Sequence, residues 1–202
     1  MKTIKLIGPI SFAITVLMIC NIVKADGKNT TLDTLCLSGS KNSCNTYTEN
    51  QNAYLHYLAG IKFDSDSDYE DAIKEFSQAL KLDKNFSEAY DKRGVVFTKM
   101  LMFGKALKDL SKAIELNSNF SEAFNHRGIV YYCLLEYKKS LADYNKAITL
   151  DPSYAKVYYN RGIVKLLIND DNGAINDFRT ASDMKFDKAT DYLRNNSIVL
   201  KY

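Results

Sequence analysis

Histidines, cysteines and clustered carboxylates are the side chains from which this 202-residue chain would have to build a reactive centre, and it has few of the first two. His56 and His126 are the only side chains that titrate near neutrality, and they lie far apart in sequence. Acid–base work by the pair would require the fold to bring them together. The run Asp64-Ser65-Asp66-Ser67-Asp68 opens like a calcium loop but has neither the glycine nor the distant glutamate in place. It reads as a turn rich in Asp and Ser. Cys36 and Cys44 flank a short polar stretch, and a disulfide there would be worth about 2.5 kcal/mol in the chain-entropy account. A metal site would need two more ligands, and only His56 is near in sequence. Cys133 sits in the apolar run 130–135 and reads as a small buried hydrophobe. There is no phosphate-cradling glycine loop, nucleophile elbow or zinc-protease helix. The expectation is a chain that is not an enzyme and carries no cofactor or metal.

The elements that would carry these residues are helical. With 46% hydrophobic and 25% charged residues the chain can bury a core, and two prolines and nine glycines are few for a fold made of turns. Its net charge of +3 comes from Lys2, Lys5 and Lys24, which leaves 24 basic against 24 acidic side chains from Asp26 onward. A neutral body disfavours nucleic acid as a partner. Residues 26–86 carry 6 basic and 10 acidic side chains and residues 87–202 carry 18 and 14, an asymmetry that is ordinarily a solvated surface. The first residues are charged, residues 10–23 are apolar apart from Ser11, Thr15 and Asn21, and Ala25 is small. That order predicts a signal peptide over 1–25, cleaved before Asp26, and a secreted or periplasmic (cell-envelope) location. The alternative is an uncleaved membrane anchor, although the stretch is shorter than the roughly 20 residues a span needs. Residues 26–52 read as a polar arm, with a helix starting near Thr48.

Self-similarity decides the architecture. Asn85-Phe86-Ser87-Glu88-Ala89-Tyr90 returns 34 positions later as Asn119-Phe120-Ser121-Glu122-Ala123-Phe124. Arg93-Gly94, Arg127-Gly128 and Arg161-Gly162 keep the same spacing, which divides the chain into units 53–86, 87–120, 121–154 and 155–188. Each unit reads as two amphipathic helices. Gly60, Gly94, Gly128 and Gly162 would let the backbones approach, faced by Ala72, Ala106, Ser140 and Ala174. Ser87 and Ser121, each followed by Glu, would cap helix starts, and Asp151-Pro152 would close the third unit. Each repeated arginine has an aspartate sixteen residues on, Asp109, Asp143 and Asp177, which predicts a ladder of ion pairs holding the repeats. The first unit has Ala59 and Glu75 instead.

In the third unit Phe124, Gly128, Tyr131, Ser140, Tyr144, Ala147 and Pro152 fall where tetratricopeptide repeats have their aromatic, glycine, aromatic, alanine, aromatic, alanine and proline. The chain thus resembles that family over about two thirds of its length. The resemblance implies an all-α, right-handed α-solenoid of four tandem 34-residue helix-turn-helix repeats, closed by a capping helix over 189–202. It also implies a concave face lined by the second, fifth, ninth and twelfth residues of each unit, which receives a protein or peptide partner. The residues expected to contact that partner are Tyr57, Asp91, Asn125, Tyr132, Tyr159 and Leu166. Relatives that grip a C-terminal carboxylate do so with Lys, Asn and Arg at the fifth and ninth positions, residues absent here. Ile61, Val95, Ile129 and Ile163 hold the ninth, so the implied partner is an apolar segment, an amphipathic helix or an extended strand.

Overall fold

The structure, a computed structural model, describes the backbone of residues 41–196 and the side chains from Gln51 onward. The described residues contain no strand. They form α1 (Lys41–Ser65), α2 (Tyr69–Leu82), α3 (Ser87–Lys99), α4 (Phe103–Leu116), α5 (Ser121–Cys133), α6 (Tyr137–Leu150), α7 (Ala155–Leu167), α8 (Asp171–Asp183) and α9 (Asp187–Asn195). None of these helices is long and apolar enough to cross a membrane. The expected leader and Cys36 lie outside the described residues. α1 begins at Lys41, ahead of the start expected near Thr48, because no glycine or proline between Lys41 and Ala59 interrupts it. The packing below is that of the compact unit from Asn50 onward.

Two kinds of turn alternate from α1 to α8, and the turn from α8 to α9 repeats the first kind, with Lys185 at φ 63° and the Phe186 amide donating to Ala181 O at 3.0 Å. At the end of α1, α3, α5 and α7 one residue is left-handed: Ser67, Leu101, Leu135 and Asn169, with φ of 66°, 59°, 61° and 61°. The next amide then donates back to the last turn of the helix: Asp68 to Phe63 O, Met102 to Phe97 O and Glu136 to Tyr131 O at 2.8 Å, and Asp170 to Lys165 O at 2.9 Å. This closes a helix end and reverses the chain into a hairpin. Helices α2, α4 and α6 stop instead at extended Asp83, Asn117 and Asp151. Their side-chain oxygens accept the amide two residues on, at 2.8, 3.1 and 2.9 Å.

The serine caps are not formed. Phe86 and Phe120 occupy the cap positions, and Ser87 and Ser121 are already inside the helices. Their hydroxyls donate to Glu88 and Glu122 at 2.8 and 3.0 Å. Among α2 to α9, whose starts are described, only α8 has a side-chain cap, Asp170, whose Oδ1 accepts from the Gly173 amide at 3.0 Å.

The packing glycines face large side chains as well as the small ones expected. A Cβ added to Gly60, Gly128 or Gly162 would stand 2.7, 2.6 or 2.7 Å from the ring of Phe76, Tyr144 or Phe178, and one on Gly94 would stand 2.8 Å from Leu110 Cγ. Each glycine is a notch filled by the residue sixteen positions on. The small residues four positions earlier leave room for that insertion, and Ser140 also donates to Gly128 O at 2.8 Å. The apolar clusters cross from hairpin to hairpin. Phe124 and Tyr144 pack with Val157 and Val164 of α7, Leu110 and Phe97 with Val130 of α5, and Phe76 with Val96 of α3. α9 closes the last hairpin by placing Leu193 against Phe178. The chain is therefore a helical solenoid of tandem helix-turn-helix repeats, in which no hairpin buries its apolar side unaided.

Candidate interaction face

Two sets of polar contacts fix the first helices of the hairpins. In the first, each repeated arginine makes a two-pronged bond to the aspartate of its own hairpin. Arg93 reaches Asp109 at 2.7 and 2.9 Å, Arg127 reaches Asp143 at 2.8 and 2.8 Å, and Arg161 reaches Asp177 at 2.8 and 2.6 Å. The third nitrogen crosses to the preceding hairpin: Arg93 Nη1 to Ser77 Oγ at 2.9 Å, Arg127 Nη1 to Ser111 Oγ at 3.2 Å, Arg161 Nη1 to Asn145 Oδ1 at 2.6 Å. One planar guanidinium thus ties three helices. Hydrogen bonding to Asp143 raises the Arg127 pKa despite the opposing effect of burial. In the first hairpin, where the arginine is missing, His56 Nδ1 lies 2.6 Å from Glu75.

The second set links neighbouring first helices at a separation of 35 residues, a relation the sequence reading missed. His126 Nδ1 lies 2.7 Å from the Asp91 carboxylate, Asn160 Nδ2 donates to Asn125 Oδ1 at 2.9 Å, and Lys99 Nζ donates to Asp64 at 2.6 Å. A polar fifth residue followed by a polar sixth in the next unit was the available signal for the first two; Asp64 and Lys99 are a twelfth and a thirteenth residue. Asp91 is fully buried, which raises its pKa, but the His126 hydrogen bond and charge together with Lys92 outweigh burial and hold it below its usual 3.8. A lowered folded-state pKa stabilises the fold above the unfolded value, and that stability is lost as pH falls through the lower folded value. Melting temperature should therefore fall on acidification below about pH 4, with a shallower acid slope in Asp91→Asn, as pH-dependent thermal unfolding would show.

The six residues expected to meet a partner are placed in two ways. Asp91 and Asn125 are fully buried: Asp91 accepts from Lys92 at 3.2 Å besides its contact with His126, and Asn125 accepts from Asn160 and donates to the Tyr154 hydroxyl at 3.5 Å. Tyr57, Tyr132, Tyr159 and Leu166 are half-buried: Tyr57 leans on Phe76 and Phe86, Tyr159 on Phe178 and Phe186, Tyr132 on the Phe124 cluster and Leu166 on the Phe178 cluster. Burial first, then the carboxylates of Glu88 and Asp91, push the Tyr57 hydroxyl up to about 12, so it remains a hydrogen-bond donor at neutral pH. Around these tyrosines Ile61 is exposed and Val95, Ile129 and Ile163 are half-buried. No buried side-chain nitrogen or oxygen among the described residues lacks a hydrogen-bond partner. The buried polar atoms of this face are satisfied within the fold; its half-open fifth, ninth and twelfth positions are largely apolar, while Glu88, Glu122 and Lys156 at the second position are exposed and charged.

The two histidines belong to different hairpins, each against one carboxylate. Among the described residues no group of three metal-ligating side chains converges. Cys133 is exposed, not buried, because α5 ends at that residue and turns it outward. Desolvation nonetheless raises its thiol pKa, which suppresses the reactive thiolate.

The repeated hairpins and their notched glycines are similar to those of tetratricopeptide-repeat proteins. Residues 136–169 match the family model described as TPR repeat, over α6 and α7, which is the same period counted from a different start. Similar solved structures include MamA from Desulfovibrio magneticus RS-1, at 24% identity over 75% of this chain and 90% of that one, with a TM-score of 0.61. PilF of Pseudomonas aeruginosa is 21% identical over 68% of this chain and 63% of that one, TM-score 0.64. The first TPR domain of Spaghetti (RPAP3), bound to the HSP90 peptide SRMEEVD, is 19% identical over 59% of this chain and 95% of that one, TM-score 0.58. At these identities the likeness is one of fold. No curated protein matches the chain.

Proposed function

We propose that the chain is a protein-binding scaffold whose first-helix face takes an apolar segment of a partner, an amphipathic helix or an extended strand. Its working part is a surface and not a reactive centre. The supporting observation is the contrast on that face: Asp91 and Asn125 are bonded internally, whereas Tyr57, Ile129, Tyr132, Tyr159 and Leu166 keep part of their apolar surface open. Tyrosines held on rigid helices give large contact area at low entropic cost. A solved relative of this fold holds an HSP90 peptide. Here the fifth and ninth positions supply no cationic grip for a terminal carboxylate, so the reading is of an apolar ligand. We place the scaffold outside the cytoplasm, with 1–25 removed as a leader, 26–52 as an arm, four repeat units over 53–188 and a cap over 189–202. If the N-terminus is kept, the same scaffold becomes a membrane-tethered assembly factor, and N-terminal sequencing starting at Asp26 would decide for export.

The test is photocrosslinking in the native host, with a photoreactive side chain at Ile129 or Ile163 and, as control, at the exposed Lys146 on α6. The same adduct from both first-helix positions and none from Lys146 is expected. Adducts from Lys146 alone would overturn the reading.

A further inference from the structure

A second surface lies apart from that face, at the turns that close the hairpins. The left-handed residue of such a turn is cheapest as glycine or asparagine, because a β-carbon crowds the following carbonyl. Asn169 meets that preference in the fourth hairpin; Ser67 and Lys185 depart from it with polar side chains that suit solvent, and the second and third hairpins depart from it with leucines, Leu101 and Leu135. Neither leucine is compensated by burial: they are 71% and 70% exposed, the most exposed large apolar residues of the described chain. Met102 and Leu134 beside them are exposed as well. Helices α3 and α5, which lead into these turns, touch one another, so the two tips are neighbours on one edge. A strained backbone that carries an unburied apolar side chain, twice in succession, marks an edge kept for contact.

Charge indicates what it contacts. Residues 99–105 and 134–139 hold Lys99, Lys105, Lys138 and Lys139 against Glu136, a net of +3 that falls to +2 once Lys99 is counted with the Asp64 it is paired to. Lys99 is tied to Asp64 and Lys139 to Glu136, while Lys105 rests over the Phe97 ring and Lys138 is exposed. The turns on either side are acidic, with Asp64, Asp66 and Asp68 before and Asp170 and Asp171 after. The contact is therefore confined to the two middle tips, where protruding leucines are flanked by lysines. We propose that these two turns dock on an anionic lipid surface, the leucines entering the interface and the lysines meeting the headgroups.

The chain has no tryptophan, so Leu135→Trp makes a single fluorescent reporter. Its emission should shift to the blue on phosphatidylglycerol–phosphatidylcholine vesicles and stay unshifted on phosphatidylcholine alone. Lys105→Glu and Lys138→Glu should each weaken partitioning by roughly fivefold or more, given the attraction of a lysine to an anionic leaflet. Leu101→Asn with Leu135→Asn should abolish docking of the tips without lowering the melting temperature, since asparagine suits the backbone, which separates loss of docking from loss of fold. An unshifted spectrum while the chain sediments with anionic vesicles would assign binding to another segment and overturn the proposal. A shift that grows with protein concentration without lipid would assign the edge to a second copy of the chain, and an equal shift on both vesicles would remove the role of the lysines.

Discussion

Tyr144→Ala should lower the stability of the stack by about 4 kcal/mol, the range of a large aromatic removed from a closed core. Tyr144 is 1% exposed and its ring fills the notch of Gly128 while touching the cluster that continues into α7. For a chain of this length the melting temperature should drop by roughly 10 °C. Tyr144→Phe should retain most of the stability, because Phe76 and Phe178 do the same work in the first and fourth hairpins. Gly128→Ala should cost about 2 kcal/mol by forcing the ring out of contact at 2.6 Å. In the double variant Gly128→Ala, Tyr144→Ala the methyl enters space the ring has left. The two losses should therefore add to less than their sum, which thermal or urea unfolding of the four proteins would measure. Strict additivity would mean that the glycine and the ring do not share a site.

Arg127→Ala should cost about 3 kcal/mol, because it leaves the buried Asp143 carboxylate without its partner and removes the bond to Ser111 of the preceding hairpin. Arg127→Lys should recover only part of this, since an ammonium keeps the charge but cannot make the two-pronged bond to Asp143 and reach Ser111 together. Removing both charges, in Arg127→Ala with Asp143→Ala, should be milder than the sum of the single losses. Calorimetry on these variants, with partner binding measured alongside, distinguishes a structural ladder from a binding site. Unchanged melting with lost binding would move the arginines into the interface.

The architecture was legible because a 34-residue period repeats residue types that can do only a few things in a helix pair. The arginine ladder was legible for the same reason, a fixed spacing of sixteen between opposite charges. What escaped depends on details that residue type does not encode. Ser87-Glu88 has the composition of a helix cap, but Phe86 holds the cap position and the serine is one residue too far along. The run 130–135 looks uniformly buried, yet α5 ends inside it and turns Cys133 and Leu135 outward. The rungs at 35 residues cross between neighbouring units, so a search within each unit leaves His126 looking like a stray titratable group and not the partner of Asp91. Of the expected contact residues, the tyrosines and Leu166 keep open surface, whereas Asp91 and Asn125 are buried in the rungs. Pattern alone does not separate a polar residue that faces a ligand from one that faces the next helix.

The shared interior of the hairpins is tested most directly by amide hydrogen exchange on Arg127→Ala. If each unit is held by its neighbours, protection should fall in α4 and α7 as well as in α5 and α6, because the arginine and the Tyr144 cluster reach both ways along the chain. Protection lost in α5 and α6 alone, with α4 and α7 unchanged, would contradict the account.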